Sequence, residues 1–473
     1  MASRKVVDSG FRISISSLPD EVLGNILSLL PTKLAVSTSV LSKRWRNLLS
    51  LVNTLDFDDS TILYPNRESD LPHGCFFDFV DKTLALLIDS PIKKFSLKCQ
   101  QKLDTSRVEL WIRSVLERGF LELHLTSQED HCIDSEFFTS NTLVNLTLSN
   151  GFYLEEGDCL PHDSVFFPAL KILSLIATGY GSDYMFNSLI SGCPVLEELF
   201  IRYGDGSHGD DWMVSVSGQS IKRMTIFCDF SKEEIEIDQT SVLFETPSLL
   251  YLDYSGYVQQ HYTVDFGSLL EARLDLRLWE STIHNYDDHE NNNPLDVFGD
   301  VTNLVAGLSN VKSLHLSSHF LEVLHLCCKS IPLFSNLTDL SFESDEKQGW
   351  QVLPLLLKNS PILETLVIKG LVHKVTDKCG DVCACIQQKN EEEEEEECWK
   401  CQVKMLEVSV YGGTCTELKQ MRHFLEKLKC LEIVKIGIQQ ENNNHDEYMR
   451  VTDDLLKLPR VSSKCQIQFY MIM

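Results

Sequence analysis

Phe167-Pro168-Ala169-Leu170-Lys171-Ile172-Leu173-Ser174-Leu175 decides how most of this chain is built. Leu170 opens the unit, and Leu173 and Leu175 then alternate with polar Ser174, as a short strand with one buried face requires. Equivalent units open at Ile92, Phe120, Leu143, Leu196, Ile221, Leu249, Leu269, Val311, Leu337, Leu363, Val403 and Leu431, mostly at intervals of about 20 to 28 residues. No unit can bury its apolar side alone, so the units must stack into a parallel sheet lining a curved solenoid. Two gaps break the period. Between Leu269 and Val311 the polar stretch Asp287-Asp288-His289-Glu290-Asn291-Asn292-Asn293-Pro294 reads as a loop insertion. Between Leu363 and Val403 the run Glu391 to Glu397 repels itself and reads as a solvated segment. Leu321-Glu322-Val323-Leu324-His325-Leu326 imitates the motif too soon after Val311, and is read as the helical return of that unit.

The period is that of leucine-rich repeats, with one departure. Thr178, Gly204 and Asp345 stand where regular repeats favour Asn or Cys, so an internal side-chain ladder is missing and the convex side should vary in form. Leu189-Ile190-Ser191-Gly192-Cys193-Pro194-Val195-Leu196-Glu197-Glu198-Leu199 and the Phe167 to Leu175 phrase closely resemble repeats of plant F-box proteins. Gly192 and Pro194 suit a helix end and a turn into the next strand, which makes Cys193 a packed thiol without a base to activate it.

The N-terminal region supports the same resemblance. In Ser16-Ser17-Leu18-Pro19-Asp20-Glu21-Val22-Leu23-Gly24-Asn25-Ile26-Leu27-Ser28-Leu29-Leu30-Pro31-Thr32, apolar residues recur at helical spacing from Val22 to Leu30, and Pro31 ends the run. Thr32 is expected to cap a second helix, and Ser42 a third that carries Trp45, Leu48 and Leu49. Three helices in about 40 residues cannot cover all these apolar groups, so a partner is expected. The Leu18-Pro19 entry, the Leu30-Pro31-Thr32 break, the Ser39-Val40-Leu41-Ser42-Lys43 turn and Trp45 match the F-box pattern. That resemblance implies a Skp-type adaptor of a cullin-RING ubiquitin ligase as partner. It would be bound by Leu18, Pro19, Leu23, Ile26, Leu27, Leu30, Pro31, Leu41, Ser42 and Trp45, with Lys43, Arg44 and Arg46 toward the rim.

The C-terminal region resembles the FBD domain that often follows plant F-box and leucine-rich repeats, through Val403 to Val408, Glu417 to Leu425, Leu431 to Ile436 and Leu458 to Ile467. Its residues read as strand, helix, strand, helix and strand. Leu418, Met421, Phe424, Leu425 and Leu428 form the first helix's apolar side, and the whole acts as terminal repeats closing the sheet. The expected fold class is therefore α/β: a three-helix F-box at 12–58, an irregular leucine-rich-repeat solenoid with helices or loops on its convex side at 59–376, an acidic cysteine-containing insertion at 377–400, and the FBD domain as a cap at 401–473.

Composition narrows the function. No apolar run reaches the roughly 18 residues of a spanning helix, and a signal-peptide core is not seen, so a nuclear or cytoplasmic location with no membrane partner is expected. The 16 cysteines are then most simply reduced thiols. Cys379, Cys383, Cys385, Cys398 and Cys401 cluster, and Cys398-x-x-Cys401 has zinc-knuckle spacing. Structural zinc is the sharpest rival reading and redox or disulfide chemistry a second, with plain reduced thiols preferred and no cofactor or metal assigned. Phosphate-binding, dinucleotide and nucleophile-elbow motifs are missing, and His124, His131, His315, His325 and His373 read as surface or concave-face side chains, so no catalytic residue is assigned. Residues 1–50 hold seven Lys or Arg against three Asp or Glu; they contribute +4 to a chain total of −27, leaving −31 on the rest. That acidity disfavours nucleic acid as a partner. The expected role is a non-catalytic receptor that holds a protein client on variable strand positions, among them Glu198, Arg223, Tyr251, Asp253, His315, Asp339 and Thr365.

Overall fold

The computed structural model describes residues 15–61, 74–87, 92–100, 104–134, 139–155, 165–177, 183–203, 214–228, 241–279, 299–384, 402–439 and 445–472. Thr178, Gly204, the 287–294 stretch, the Glu391 to Glu397 run, Cys385, Cys398 and Cys401 lie outside them, as do residues 12–14 of the expected F-box. Two compact units divide the chain at Leu170.

The first unit opens with helices α1 (Asp20–Ser28), α2 (Thr32–Ser37) and α3 (Lys43–Leu48). Prolines 19 and 31 occupy the N-cap positions of α1 and α2, where the absent N–H costs nothing. Ser42 caps α3 as expected, its hydroxyl accepting from the Trp45 N–H at 3.4 Å. Thr32 does not cap α2: it is the first helical residue, and its hydroxyl accepts from the Asp56 N–H at 2.6 Å. It ties α2 to strand β1 (Thr54–Asp58) instead. Helix α4 (Gly74–Leu86) follows, then β2 (Lys94–Cys99), α5 (Thr105–Glu117), β3 (Glu122–Asp134) and β4 (Asn145–Glu155). The four strands pair in parallel in chain order. Leu55, Phe57, Phe95, Leu97, Leu123, Leu125, Leu146 and Leu148 occupy the buried alternate positions.

The second unit continues with β5 (Ile172–Ile176), β6 (Glu198–Tyr203), β7 (Val214–Ser217), β8 (Arg223–Cys228), β9 (Ser241–Glu245), β10 (Tyr251–Tyr257), β11 (His261–Asp265), β12 (Glu271–Arg277), β13 (Ser313–Leu316), β14 (Asp339–Glu343), β15 (Thr365–Lys369), β16 (Met405–Tyr411), β17 (Ile433–Gln439) and β18 (Gln466–Ile472). The main sheet runs β5-β6-β8-β10-β12-β13-β14-β15-β16-β17-β18, all parallel. The returns between strands use helices α6 (Asp183–Ser191), α7 (Thr302–Gly307), α8 (Ser318–Cys327), α9 (Leu353–Lys358), α10 (Cys415–Lys427) and α11 (His445–Leu456). Between β6 and β12 they use strands: β7, β9 and β11 form a second parallel sheet in the order β11-β9-β7. Helix α8 contains Leu321 to Leu326, so that stretch is the helical return and not a further unit.

Every unit seen in the sequence delivers a strand opening two residues after its first apolar residue, from Ile92 before β2 to Leu431 before β17. The backbone explains this constant offset. The carbonyl just ahead of each strand accepts from two consecutive N–H groups of the next unit: Glu197 O from Lys222 and Arg223, Lys222 O from Leu250 and Tyr251, Leu250 O from Leu270 and Glu271, Leu270 O from Lys312 and Ser313. The series continues through Lys312, Thr338, Glu364 and Lys404. A main-chain ladder thus joins the units without the Asn or Cys side chains of regular repeats. Among the described residues no helix is long and apolar enough to cross a membrane.

Candidate functional site

Two surfaces follow from this layout. On the three N-terminal helices, Leu23, Leu27, Ala35, Leu48 and Val52 form the core, with Leu18, Ile26, Leu30, Trp45 and Leu49 packed against it and partly covered. Arg44 of α3 staples the bundle, its Nε and Nη2 donating to one Asp20 carboxylate oxygen at 2.8 and 2.6 Å and Nη2 also to the Leu18 carbonyl. The expected adaptor residues therefore divide. Leu23 and Leu27 lie at 0% and 1% exposure inside the bundle and have no surface to offer. Pro19, Leu41 and Ser42 are exposed, while Leu18, Ile26, Leu30, Pro31 and Trp45 are half-buried. The most open apolar side chains include two that helical periodicity did not select: Leu29 at 85% and Val40 at 83%, beside Leu41 at 66%. Leu29 follows the last turn of α1 and Val40 precedes Leu41 in the α2–α3 connection. Both lie outside the α-helices, where helical periodicity carries no information.

The second surface is the outward side of the main sheet in the second unit. Strand register places Glu198, Arg223, Tyr251, Glu271, Ser313, Asp339 and Thr365 in one row across it. The next row holds Phe200, Thr225, Asp253, Arg273, His315, Ser341 and Val367. All seven expected client positions thus fall on these two rows, none of them buried. Tyr251 is the centre of the densest polar group. The Arg223 guanidinium lies 4.0 Å and that of Arg273 5.8 Å from its ring centroid, and its hydroxyl donates to Asp253 at 3.3 Å. Arg273 donates to Glu271 at 3.1 and 3.2 Å, and His315 Nε2 lies 3.6 Å from the same carboxylate. Burial raises the Asp253 carboxyl above its ordinary value and lowers the His315 imidazole. Asp275, one step along β12, is held down to about 2 chiefly by His319, whose Nδ1 lies 3.7 Å from its carboxylate, with Ser317 and Arg277 adding to it. Glu271, Arg273 and Asp275 belong to the same group, although none of the expected client positions comes from the unit that Leu269 opens. The signal was there: Glu271 follows Leu269 by the same offset as Tyr251 follows Leu249.

The thiols and histidines also sort themselves. Cys193 is buried in α6's end, donates to the Leu189 carbonyl at 3.1 Å and is pushed up to about 12 by burial, as a packed, inert thiol should be. His131 and His373 are buried, contrary to the expectation of surface positions, while His124, His315 and His325 are half-buried. Cys379 and Cys383 are buried beside His373. The neighbouring Cys383, with His373 and Thr376 adding to it, lowers the Cys379 thiol from its ordinary value. Among the described residues no group of three or more His, Cys, Asp and Glu side chains is placed to hold a metal ion.

The fold and the N-terminal bundle define a leucine-rich-repeat protein headed by an F-box. Comparison with known proteins agrees: residues 15–56 match the F-box domain model, and residues 108–257 match the model for the leucine-rich repeats of FBD-associated F-box protein At5g56370. From Arabidopsis thaliana, F-box protein At4g27050 is 51% identical over 467 residues, covering 96% of this chain and 99% of its own length. F-box/LRR-repeat protein At1g48400 is 51% identical over 491 residues, 97% and 98% of the two chains, and putative F-box protein At1g21990 is 50% identical over 472, 96% and 98%. The chain belongs to the plant F-box/LRR-repeat family.

Proposed function

We propose that this chain is the substrate receptor of an SCF-type cullin-RING ubiquitin ligase, with its F-box on a Skp-type adaptor and its strand rows holding a protein client. One observation carries the reading: the F-box completes its own core and still leaves Leu29, Val40 and Leu41 largely open, which is an apolar surface without an internal purpose. Acting in the nucleus or cytosol, the receptor catalyses nothing itself. It raises the effective concentration of a client lysine near the ubiquitin-charged enzyme. The rows around Tyr251 suit a protein surface better than a small molecule, because their polar groups spread across successive strands.

The test is binding of the full chain to a purified Skp-type adaptor, wild type against a Val40→Asp, Leu41→Asp double variant. Wild-type binding abolished by the double variant supports the reading. A folded wild-type chain that ignores the adaptor overturns it. Adaptor binding with no client modified in a reconstituted ligase points to an interaction scaffold instead.

A further inference from the structure

The main sheet of the second unit ends in an edge that is left fit for pairing. Strand β18 bonds to β17 on one side and to no other strand among the described residues. Its sequence, Gln466-Ile467-Gln468-Phe469-Tyr470-Met471-Ile472, holds neither a charge nor a proline. Edge strands are ordinarily blunted by charge or proline, because an open row of N–H and C=O groups is a template for another chain. The edge strand of the first unit, β1, shows that protection: it carries Asp56 and Asp58, and Thr32 of α2 accepts from the Asp56 N–H at 2.6 Å. Terminal solenoid repeats also turn a polar side outward as a rule. Here Met471 is 62% exposed, Val461 is exposed too, and so are Met449 and Leu456, two turns apart on one side of α11.

The register shows which groups face the edge. Gln466 stands opposite Ile433, and its N–H donates to the Glu432 carbonyl at 2.9 Å. Main-chain groups alternate between the two sides of a strand as side chains alternate between its faces. Gln466, Gln468 and Tyr470 therefore turn theirs to β17, and Ile467, Phe469 and Met471 turn theirs to the open edge. The same three residues lie beside buried Val434, Ile436 and Ile438, on the inner side of the sheet. The strand is held in place: the Tyr470 hydroxyl donates to Glu407 Oε1 of β16 at 2.8 Å, and its ring crosses Gly437, where a Cβ would stand 2.7 Å from Tyr470 Cζ.

We infer that β18 is a self-association edge, at which two copies of the chain pair antiparallel about a two-fold axis through Phe469. In that register the two Phe469 residues oppose each other, Ile467 opposes Met471 of the second copy, and Gln468 opposes its Tyr470. The pairs at Ile467, Phe469 and Met471 exchange about six main-chain hydrogen bonds. Apolar side chains meet apolar ones on the inner side, and no two charges meet. Charge also selects a second copy as the occupant. A net charge of −27 sets copies of this chain against one another, yet residues 445–472 hold four Asp or Glu against four Lys or Arg and so balance. A basic partner would find its complement elsewhere on the chain, whereas a second copy finds here a stretch that does not repel it. Two-fold pairing also closes, since each copy spends its one β18 edge and the product stops at two.

The experiment is analytical sedimentation of the full chain from about 1 to about 100 μM, under reducing conditions so that no disulfide joins copies, with residue-resolved amide hydrogen exchange at both ends of the series. A reversible passage from one copy to two is expected. The Ile467, Phe469 and Met471 amides should exchange freely in the dilute chain and at least about tenfold more slowly in the concentrated one, while Gln468 and Tyr470 stay protected in both. Met471→Pro removes an edge-facing N–H and no bond to β17, and should weaken pairing about tenfold or more because both copies lose a donor. Protection at Gln468 and Tyr470 shows that β18 is still in place in that variant. Gln468→Lys leaves the backbone whole and should weaken pairing as well, by setting two ammonium groups at diagonal positions. A chain that stays single at the highest concentration, assemblies that grow past two copies, or a dimer indifferent to both variants would each overturn the assignment. Edge amides protected only when another protein is added would overturn it too, and would give the edge to a partner's strand. Adaptor and client take no part in the sedimentation series, so its outcome is independent of the receptor reading.

Discussion

Leu23→Ala and Leu41→Ala should fail in opposite ways, and the contrast tests how the F-box divides its leucines. Leu23 is fully buried in the bundle core, so truncation removes apolar contacts and leaves a cavity, at about 2–5 kcal/mol. Leu41 is 66% exposed, so truncation removes little that the bundle uses. Against a partner, three lost carbons at about 0.8 kcal/mol each, scaled by the exposed two-thirds, come to about 1.5 kcal/mol, or roughly tenfold in Kd. A single melting temperature is a poor gauge for a chain of two compact units. Amide hydrogen exchange over α1 reads local stability, and calorimetry with the adaptor reads binding. Leu23→Ala should speed exchange in α1 by about thirtyfold or more, and Leu41→Ala should weaken binding with α1 exchange unchanged. Loss of binding by Leu23→Ala with α1 protection intact would refute the reasoning, because Leu23 would then have to face the partner.

Gly24→Ala would ordinarily favour a helix by about 1 kcal/mol, but its Cβ would stand 2.6 Å from Leu51 Cβ and 3.2 Å from the Leu51 carbonyl. Overpacking of about 1–3 kcal/mol should win, seen as faster α1 exchange; slower exchange would contradict the packing. Glu417 is buried and accepts from the Gly412 and Thr414 N–H groups at 3.0 and 2.9 Å and from the Thr414 hydroxyl at 2.8 Å. Glu417→Ala should therefore cost about 2–4 kcal/mol in urea unfolding, with Glu417→Gln recovering part of it. Asp275 has its carboxyl depressed from 3.8 to about 2, so its contribution is fully present above pH 3.8 and is lost as pH falls toward 2. Partial exposure holds it to roughly 1 kcal/mol. Asp275→Asn should flatten the stability profile across that window, and an unchanged slope there would contradict the pairing with His319.

The strands were legible because one constraint repeats. A buried leucine, a two-residue offset and alternation recur wherever a unit must pair with its neighbour, so Leu170, Leu249 and Leu363 announce β5, β10 and β15 alike. The return side carries no such constraint. Val214-Ser215-Val216-Ser217 alternates as a strand should, yet nothing local says that β7 must meet β9 across β8 and found a second sheet. The F-box division was hidden for a related reason. Leu23 and Leu27 share a helical face with Ile26 and Leu30, and period alone cannot tell an inner wall from an outer one until α2 and α3 are packed. His373 stayed obscure because its partners, Trp350 and Cys383, lie 23 residues before and 10 after it in a connection without period.

The main-chain ladder also bears on what the strand rows are free to become. Glu197, Lys222, Leu250 and Leu270 join successive units through their carbonyls, and the exposed ion pairs of Glu197 with Lys171 and Lys222 add little to that stack. The outward residues on β6, β8, β10 and β12 are released further, since the buried alternates Leu199, Met224, Leu252 and Ala272 supply the packing. Glu198 can therefore change identity at little cost to the fold, within about 0.5 kcal/mol, whereas Arg223, Tyr251 and Glu271 also carry the stacking and ion pairing of the polar group. A sheet whose stability resides in its backbone and inner side leaves its outer rows open to being shaped by whatever they bind.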